Sequence, residues 1–390
     1  MQKYVQVYAR NFRSCVSETD SVLDVEHCIS ETGIAVVIDS DGIFHGIVTE
    51  KDIAKNSKNG IPLLVADVCN QNPQTITVEE LQNDANAGKN PFVGNLHSSM
   101  VVLDKNKFHS IIFDFILLLD IADACNLHCP GCPRGKREMA NTQNKMSISS
   151  FEQIIVKAAK FGFSSIQLYN WTEPFLCNDL YAYISLAEKY GLMTHLSTNL
   201  SVPEIPHLSD VLYTGNGVIM VSVSGFTQAV HGIYHRGSDI EVVKNRLRYI
   251  SSCYQKKPFA RNVYVKFIDF GYNSKEISLF QSWIGTLPGI GFMVIKGMGD
   301  PLTGSTYYDQ AFNSYELHGD RSKNGNNCEC FRTIPVDCRG NTYLCCELPN
   351  QQRFQIGNLL NNDSLEDIIE AKRRSKFCQN CILPQTKYSH

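Results

Sequence analysis

The stretch FILLLDIADACNLHCPGC, residues 115–132, decides how the rest of the chain is read. Its first half is a near-continuous apolar run, as expected of a strand buried on both faces. Its second half is a CxxxCxxC loop carrying Cys125, Cys129 and Cys132. Downstream, SISSFEQIIVKAAKFGF has helical periodicity and opens on a serine cap, either Ser147 or the Ser149–Ser150 pair. SSIQLYN reads as a strand, LYAYISLAEKYG as a helix stopped by glycine, and LMTHLSTN as a strand. VIMVSVSG, NVYVKFIDF and GFMVIKG are further strands, with IEVVKNRLRYISSCY and SKEISLFQSWIG as helices between them. Such alternation predicts parallel strands covered by helices, and roughly six strands predict a partial barrel rather than a closed eight-stranded one.

Upstream, GIAVVIDSDGIFHGIVTEKDIAK reads as a strand over Ile34–Ile38, a tight turn at Asp41–Gly42, a strand over Phe44–Val48 and a helix from near Thr49. A helical stretch with Val22, Val25, Cys28 and Ile29 on one face precedes it, and VADVCNQNPQTITVEE followed by SSMVVLDKNKFHSIIF repeats the pattern in shortened form. Downstream of the barrel, polar SYELHGDRSKNGNN leads to a hairpin around Arg339–Gly340–Asn341 and to SLEDIIEAKR, a short helix capped by Ser364. Three segments follow: residues 1–112, 113–310 and 311–390. The last is too small to build much core, so a metal is the expected source of its stability.

Composition excludes several classes. The 390 residues are 43% hydrophobic and 19% charged, with a formal net charge of −3 and no Lys/Arg tract, so no nucleic-acid footprint is expected. The N-terminal MQKYVQVYARNFRS lacks the apolar core of a signal peptide, and Asp114 and Asp120 interrupt SIIFDFILLLD before it reaches membrane-spanning length. The expectation is a cytoplasmic protein, without membrane contact, whose 15 cysteines are mostly reduced. Cys15, Cys28, Cys69, Cys177 and Cys253 are scattered and read as small buried hydrophobes. The other ten fall at 125–132 and 328–381, which makes two candidate metal sites.

A structural zinc site closes with four ligands. A 4Fe–4S cube also takes four thiolates, one per iron. The first loop offers three, and His128 between two of them would have to fold back under strain. Three thiolates on a cube leave one iron open to a substrate or cofactor.

CxxxCxxC directly after the first strand of an α/β barrel resembles the signature of the radical SAM superfamily. The resemblance implies a partial (β/α)6 barrel in which S-adenosylmethionine (SAM) chelates the open iron. It also implies reductive cleavage of SAM to a 5′-deoxyadenosyl radical that abstracts hydrogen from a substrate. Supporting motifs follow in order. LYNWTEPFL is similar to the family's GGEP motif, with Glu173 the carboxylate for the SAM amino group and Thr172 standing where the second glycine is usual. LSTNL offers Ser197 and Asn199 to the ribose, VSVSG offers Ser222 and Ser224, and YHRGSD offers Arg236 to the SAM carboxylate. FIDFGYNSKEI resembles the adenine-side motif, with Asn273 and Glu276 its polar members.

The tail, from CECFRTIPVDCRGNTYLCC through QIGNLL and SLEDI to FCQNC, resembles SPASM and twitch domains, and the N-terminal pattern resembles a CBS module. The SPASM-like resemblance implies an auxiliary 4Fe–4S cluster on Cys330, Cys345, Cys378 and Cys381; a zinc ribbon is the alternative chemistry for the same cysteines. Cys338 and Cys177 are candidate hydrogen-atom donors. In CBS modules the Thr and Asp of a GhhTxxD turn hold a ribose, which points to Thr49 and Asp52 and to an adenine nucleotide; helix capping is the simpler role for both.

The expected fold is therefore α/β, with a CBS-like domain, a radical SAM barrel and a small iron–sulfur domain. The expected activity is dehydrogenation or epimerisation of a sugar or sugar nucleotide, with flavodoxin or ferredoxin as electron donor. A ribosomal-peptide-modifying SPASM enzyme and a non-catalytic CBS nucleotide sensor are the alternatives.

Overall fold

A computed structural model describes residues 15–22, 35–49, 52–53, 64–73, 75–80, 83, 99–113, 115–142, 144–161, 163, 165–297, 300–304, 332–375 and 377. The chain divides into two units: residues 1–115, 315–332 and 370–390, and residues 116–314 with 333–369.

In the first unit, β1 (Cys15–Val16) runs parallel to β2 (Ala35–Ile38), which pairs antiparallel with β3 (Phe44–Val48). β4 (Thr75–Thr77), β5 (Ser99–Asp104) and β6 (Lys107–Phe113) repeat that order and those directions. The two motifs seen in the sequence thus share a topology. The second is shortened at its end, because β6 closes at Phe113 and the next strand opens at Ile116. The Asp-Gly turn forms as its composition dictates: Asp39 Oδ1 accepts from the Asp41 and Ile43 amides at 2.9 Å, with Gly42 at φ +77°. The two hairpins join at their tips, where Phe44 N donates to Asn106 O (3.0 Å) and Phe108 N to Gly42 O (3.2 Å). Ala35, Val37, Val48, Val65 and Val68 make one core, and Val36 packs with Val101 in another. The predicted helix carrying Val25, Cys28 and Ile29 lies outside the described residues.

The second unit is built on β7 (Ile116–Leu119), β8 (Ser165–Gln167), β9 (Met193–Thr198), β10 (Val218–Val223), β11 (Asn262–Asp269) and β12 (Ile290–Lys296). Neighbours in the chain are neighbours in the sheet, and all five pairings are parallel. Helices α1 (Ile148–Phe161), α2 (Leu180–Lys189), α3 (Leu208–Tyr213), α4 (Gln228–Tyr234), α5 (Ile240–Lys256) and α6 (Ile277–Ile284) fill the connections. This is the partial (β/α)6 arrangement expected from the alternation. Helix α1 shows why it forms. Ser147 Oγ accepts from Ser150 N at 3.0 Å, choosing between the two predicted caps, and Phe151, Ile154, Ile155 and Ala158 bury one stripe. Each large member of that stripe contributes roughly 1.5–3 kcal/mol by leaving water.

Burial alternates along the central strands. Val221, Val223, Val265 and Phe267 are fully buried, and Phe267 meets Phe280 of α6 edge-on. The intervening side chains, Met220, Ser222, Tyr264 and Lys266, face the other way, into the barrel interior, and stay partly accessible.

The tail continues this sheet. β13 (Thr333–Val336) pairs in parallel with β7, β14 (Asn341–Tyr343) returns antiparallel as the predicted hairpin, and β15 (Gln355–Asn358) follows. Ile334 and Val336 are buried to 0% and 1% exposure. Sheet continuation therefore supplies stability that the sequence argument assigned to a metal alone. Helix α7 (Leu365–Arg374) opens on Ser364, whose hydroxyl accepts from Asp367 N at 3.1 Å. Among the described residues no helix is long and apolar enough to cross a membrane.

Candidate functional site

The cysteine loop leaves the C-terminal end of β7, where ligands of parallel α/β sheets usually bind. Its path is compact. Cys132 N donates to Cys129 O (3.1 Å) and Lys136 N to Cys132 O (2.9 Å). A Cβ on Gly135 would lie 2.1 Å from the Cys129 carbonyl oxygen, so only glycine lets the loop fold back on itself here. Arg134, 2% exposed, is the fastener. Its Nε donates to Trp171 O (2.9 Å), Nη1 to Asp123 O (3.0 Å), and Nη2 pairs with Asp123 Oδ1 (3.0 Å). The loop is thereby tied to the turn that carries Glu173.

Asp120 ties the same turn from the end of β7. One oxygen accepts from Asn170 N (2.8 Å) and Thr172 Oγ1 (2.6 Å), the other from Trp171 N (3.2 Å). Burial raises its carboxyl to about 6 despite those bonds. The Thr172 that replaces the usual second glycine thus gains a partner for its hydroxyl. Neither Arg134 nor Asp120 was identified from the sequence. The available signal was a single carboxylate at the end of an otherwise apolar strand.

Glu173 caps a 3₁₀ turn, Pro174–Leu176, through Phe175 N (3.1 Å). It also reaches β9, accepting from Thr198 Oγ1 (2.7 Å) and Asn199 N (2.8 Å). At 2% exposure its carboxyl is raised to about 7, chiefly by burial. Asn199 closes the ring: its Nδ2 donates to Asn126 Oδ1 (3.0 Å) and lies 3.9 Å from Cys125 Sγ. Cys125, Glu173 and Asn199, separate in sequence, form one constellation. Arg236 is exposed beside it, its carbonyl accepting from His128 N (2.9 Å), and a cavity of about 480 Å³ opens between His128, Lys136, Arg236 and Thr303.

Ser197 and Ser222 also meet, Oγ to Oγ at 3.4 Å, inside the barrel. Ser224 does not join them. It lies beyond the end of β10, and its buried hydroxyl bonds His235 Nδ1 (2.7 Å) and His231 O (3.2 Å), next to a stacked His231–His235 pair. Asn273 is likewise used within the fold. Its Nδ2 donates to Ser224 O (2.9 Å) and Ile268 O (2.8 Å), and its Oδ1 accepts from Phe270 N (2.9 Å). Glu276 accepts from Phe226 N (2.6 Å) and Thr227 Oγ1 (2.7 Å) at the start of α4.

Cys177 and Cys338 are buried thiols that burial pushes up to about 12, and both lie close enough to raise Tyr183. Cys177 Sγ contacts Asp179 Oδ1 at 3.4 Å. Thr49 and Asp52 form a reciprocal box in the other unit: Thr49 N and Oγ1 donate to Asp52 Oδ2 (2.9 and 2.6 Å), and Asp52 N to Thr49 Oγ1 (3.3 Å). That is the geometry of a helix cap. Cys345 is buried, with Glu347 N 3.4 Å from its sulfur. Cys330, Cys378 and Cys381 lie outside the described residues.

The donor set of the first loop is three thiols, the ligand type that a 4Fe–4S cluster takes. The three thiols feel one another: burial first, then Cys132 and Cys125, pushes Cys129 well above the usual thiol range. A cluster takes them as thiolates and removes that penalty.

Comparison with known proteins agrees. Residues 119–266 match the Radical SAM superfamily, and residues 10–59 match a CBS domain. No curated protein matches the chain. Streptococcus suis SuiB bound to S-adenosylmethionine is similar in fold, with TM-score 0.50 and 14% identity over 78% of this chain and 76% of that one. A structure of anSMEcpe with bound AdoMet aligns at TM-score 0.45 and 14% identity over 68% of this chain and 87% of that one. Such domains work with a 4Fe–4S cluster and SAM. The chain carries a radical SAM domain, with a CBS domain ahead of it.

Proposed function

We propose that this protein is an enzyme whose barrel holds a 4Fe–4S cluster on Cys125, Cys129 and Cys132, binds SAM beside it, and removes a hydrogen atom from a substrate in the barrel interior. The carrying observation is the ring in which Glu173 binds Thr198 and Asn199 while Asn199 reaches back to Cys125 and Asn126. When bound, the cluster supplies the electron that cleaves the sulfonium of SAM. The protein's part is to orient and to exclude water. Glu173 offers its remaining acceptor capacity to the SAM amino group. Arg236, exposed at the rim, suits the SAM carboxylate. Ser197, Ser222 and Asn199 suit the ribose, while Ser224 and Asn273 support the ends of β10 and β11 from behind.

The finer assignments are part of this reading. An auxiliary cluster on Cys330, Cys345, Cys378 and Cys381 would accept electrons in a dehydrogenation. Alternatively, Cys338 or Cys177, each held as S–H by burial, would donate hydrogen in an epimerisation. An external one-electron donor, a flavodoxin or ferredoxin, completes the cycle. A sugar or sugar nucleotide gains no support from the barrel residues, and a peptide, the class implied by the SPASM-like tail, is carried beside it.

The test is anaerobic reconstitution followed by iron and sulfide analysis and EPR of the reduced protein. The expected result is about eight irons per chain and a signal that changes on adding SAM. Absence of iron would overturn the proposal; about four irons with zinc would keep the first site and remove the auxiliary electron acceptor.

A further inference from the structure

One charged group in the barrel interior is left without a role by the cofactor assignments. Lys266 sits on β11 opposite Ser222 of β10, and its Nζ reaches past that strand to Ser197 Oγ on β9 at 3.2 Å. Its neighbours Val265 and Phe267 are buried on the helix side, so Lys266 is turned inward. Among the described residues no carboxylate pairs with it. Burial alone brings its ammonium down to about 8. An unpaired ammonium in such a place is costly, and an arriving anion relieves that cost.

The surroundings define the anion. Met220, Tyr264 and Met293 share the inward face: Tyr264 precedes Lys266 by two residues on β11, and Met293 is its register partner on β12. A Cβ on Gly291 would come within 2.4 Å of the Tyr264 ring, so Gly291 makes room for that ring along the wall. An apolar wall with a few convergent polar groups is the usual make-up of a small-molecule pocket. His235 brings no second cation, because burial, His231 and Lys266 hold its imidazole well below the usual range. One positive charge matches a monoanion. A phosphate dianion would leave a charge uncompensated.

We infer that Lys266, oriented by Ser197, anchors a carboxylate of the substrate in the barrel interior, beside the SAM ribose that Ser197 and Ser222 contact. This rests on the radical-enzyme reading above.

The test is equilibrium dialysis of the anaerobically reconstituted full chain against radiolabelled N-acetylglycine, a monoanion, and its neutral isostere N-acetylglycinamide, with SAM affinity measured on the same samples. The wild type is expected to prefer the carboxylate by about tenfold, Lys266→Arg to keep that preference, and Lys266→Met to lose it. Equal binding of both probes by the wild type, or a preference that survives in Lys266→Met, overturns the inference. So does a loss of about tenfold in SAM affinity in Lys266→Met, which would give the lysine to the carboxylate of SAM instead. An unchanged SAM affinity in that variant shows that it is folded and supports a substrate anchor. If the wild type prefers the carboxylate but does not bind SAM, the radical-enzyme reading fails and the anchor stands.

Discussion

Both units use a carboxylate to collect amide and hydroxyl hydrogens after the end of a strand, and the two titrations shift in opposite directions. In the first unit Glu80 accepts from Thr77 N (2.9 Å) and Thr77 Oγ1 (2.8 Å) on an exposed turn, and those bonds lower its carboxyl. In the barrel Glu173 accepts three such bonds and Asp120 another three, yet both are raised, to about 7 and about 6. Hydrogen bonding favours the charged form in every case; burial outweighs it in the barrel. The local boxes serve one turn each. The buried carboxylates join elements far apart in the chain, and a loss there would spread to the cysteine loop.

The largest expected effect separates the two regions completely. Cys125→Ala should abolish 5′-deoxyadenosine formation, read by chromatography after reduction with dithionite, while leaving the unfolding of the first unit as it was. Retained cleavage would break the assignment of the loop. Arg134→Met comes next, leaving the Asp123 carboxylate and the carbonyls of Trp171, Asp123 and Ala140 without their buried donor. It should cost about 3–5 kcal/mol in urea unfolding and lower iron retention. A loss under about 1 kcal/mol would show that the fastener is dispensable.

The third prediction uses the raised carboxyl. Glu173 is protonated below about 7 in the free protein, whereas its ionised form is the stronger acceptor for the SAM amino group. SAM affinity should therefore rise by about tenfold between pH 6 and pH 8, and Glu173→Gln should flatten the profile. In the absence of SAM the sign for folding is reversed. The contribution of Glu173 to stability is full below its unfolded value of 4.5 and is lost as pH rises through about 7. The smallest effect belongs to the local boxes: Thr77→Ala and Thr49→Ala should each cost about 1 kcal/mol as lost caps. Calorimetry with AMP and ATP then sharpens the comparison. A nucleotide site at Thr49 would weaken only in the second variant, and equal behaviour would leave Thr49 a cap.

Much of the site could be read from the sequence because its chemistry is local in the chain. Three cysteines in one loop and a Glu-Pro turn carry their meaning within a few residues. Asp120 and Arg134 do not. Each gains its role from partners on other elements, and in sequence the first looks like an interruption of an apolar strand. Ser224 shows the limit of alternation as a guide. Ser222 points inward, but β10 ends at Val223, and with the strand's pleat gone Ser224 turns to His235. Asn273 belonged with the local signals: an asparagine three residues after Phe270, across a glycine, is the pattern of a turn that bonds its own backbone. The tail's place in the barrel sheet was hidden for the opposite reason, since no local pattern announces which edge a strand will join.

That edge has a consequence in time. β7 emerges first among the barrel strands, and β13, which covers its outer side, follows more than two hundred residues later. At synthesis rates of about 5–20 residues per second the gap lasts roughly ten to forty seconds. Throughout it, the most apolar strand of the protein presents unpaired amides and carbonyls to anything nearby. A chain cut short before Thr333 would keep that edge open indefinitely and become a template for its own copies.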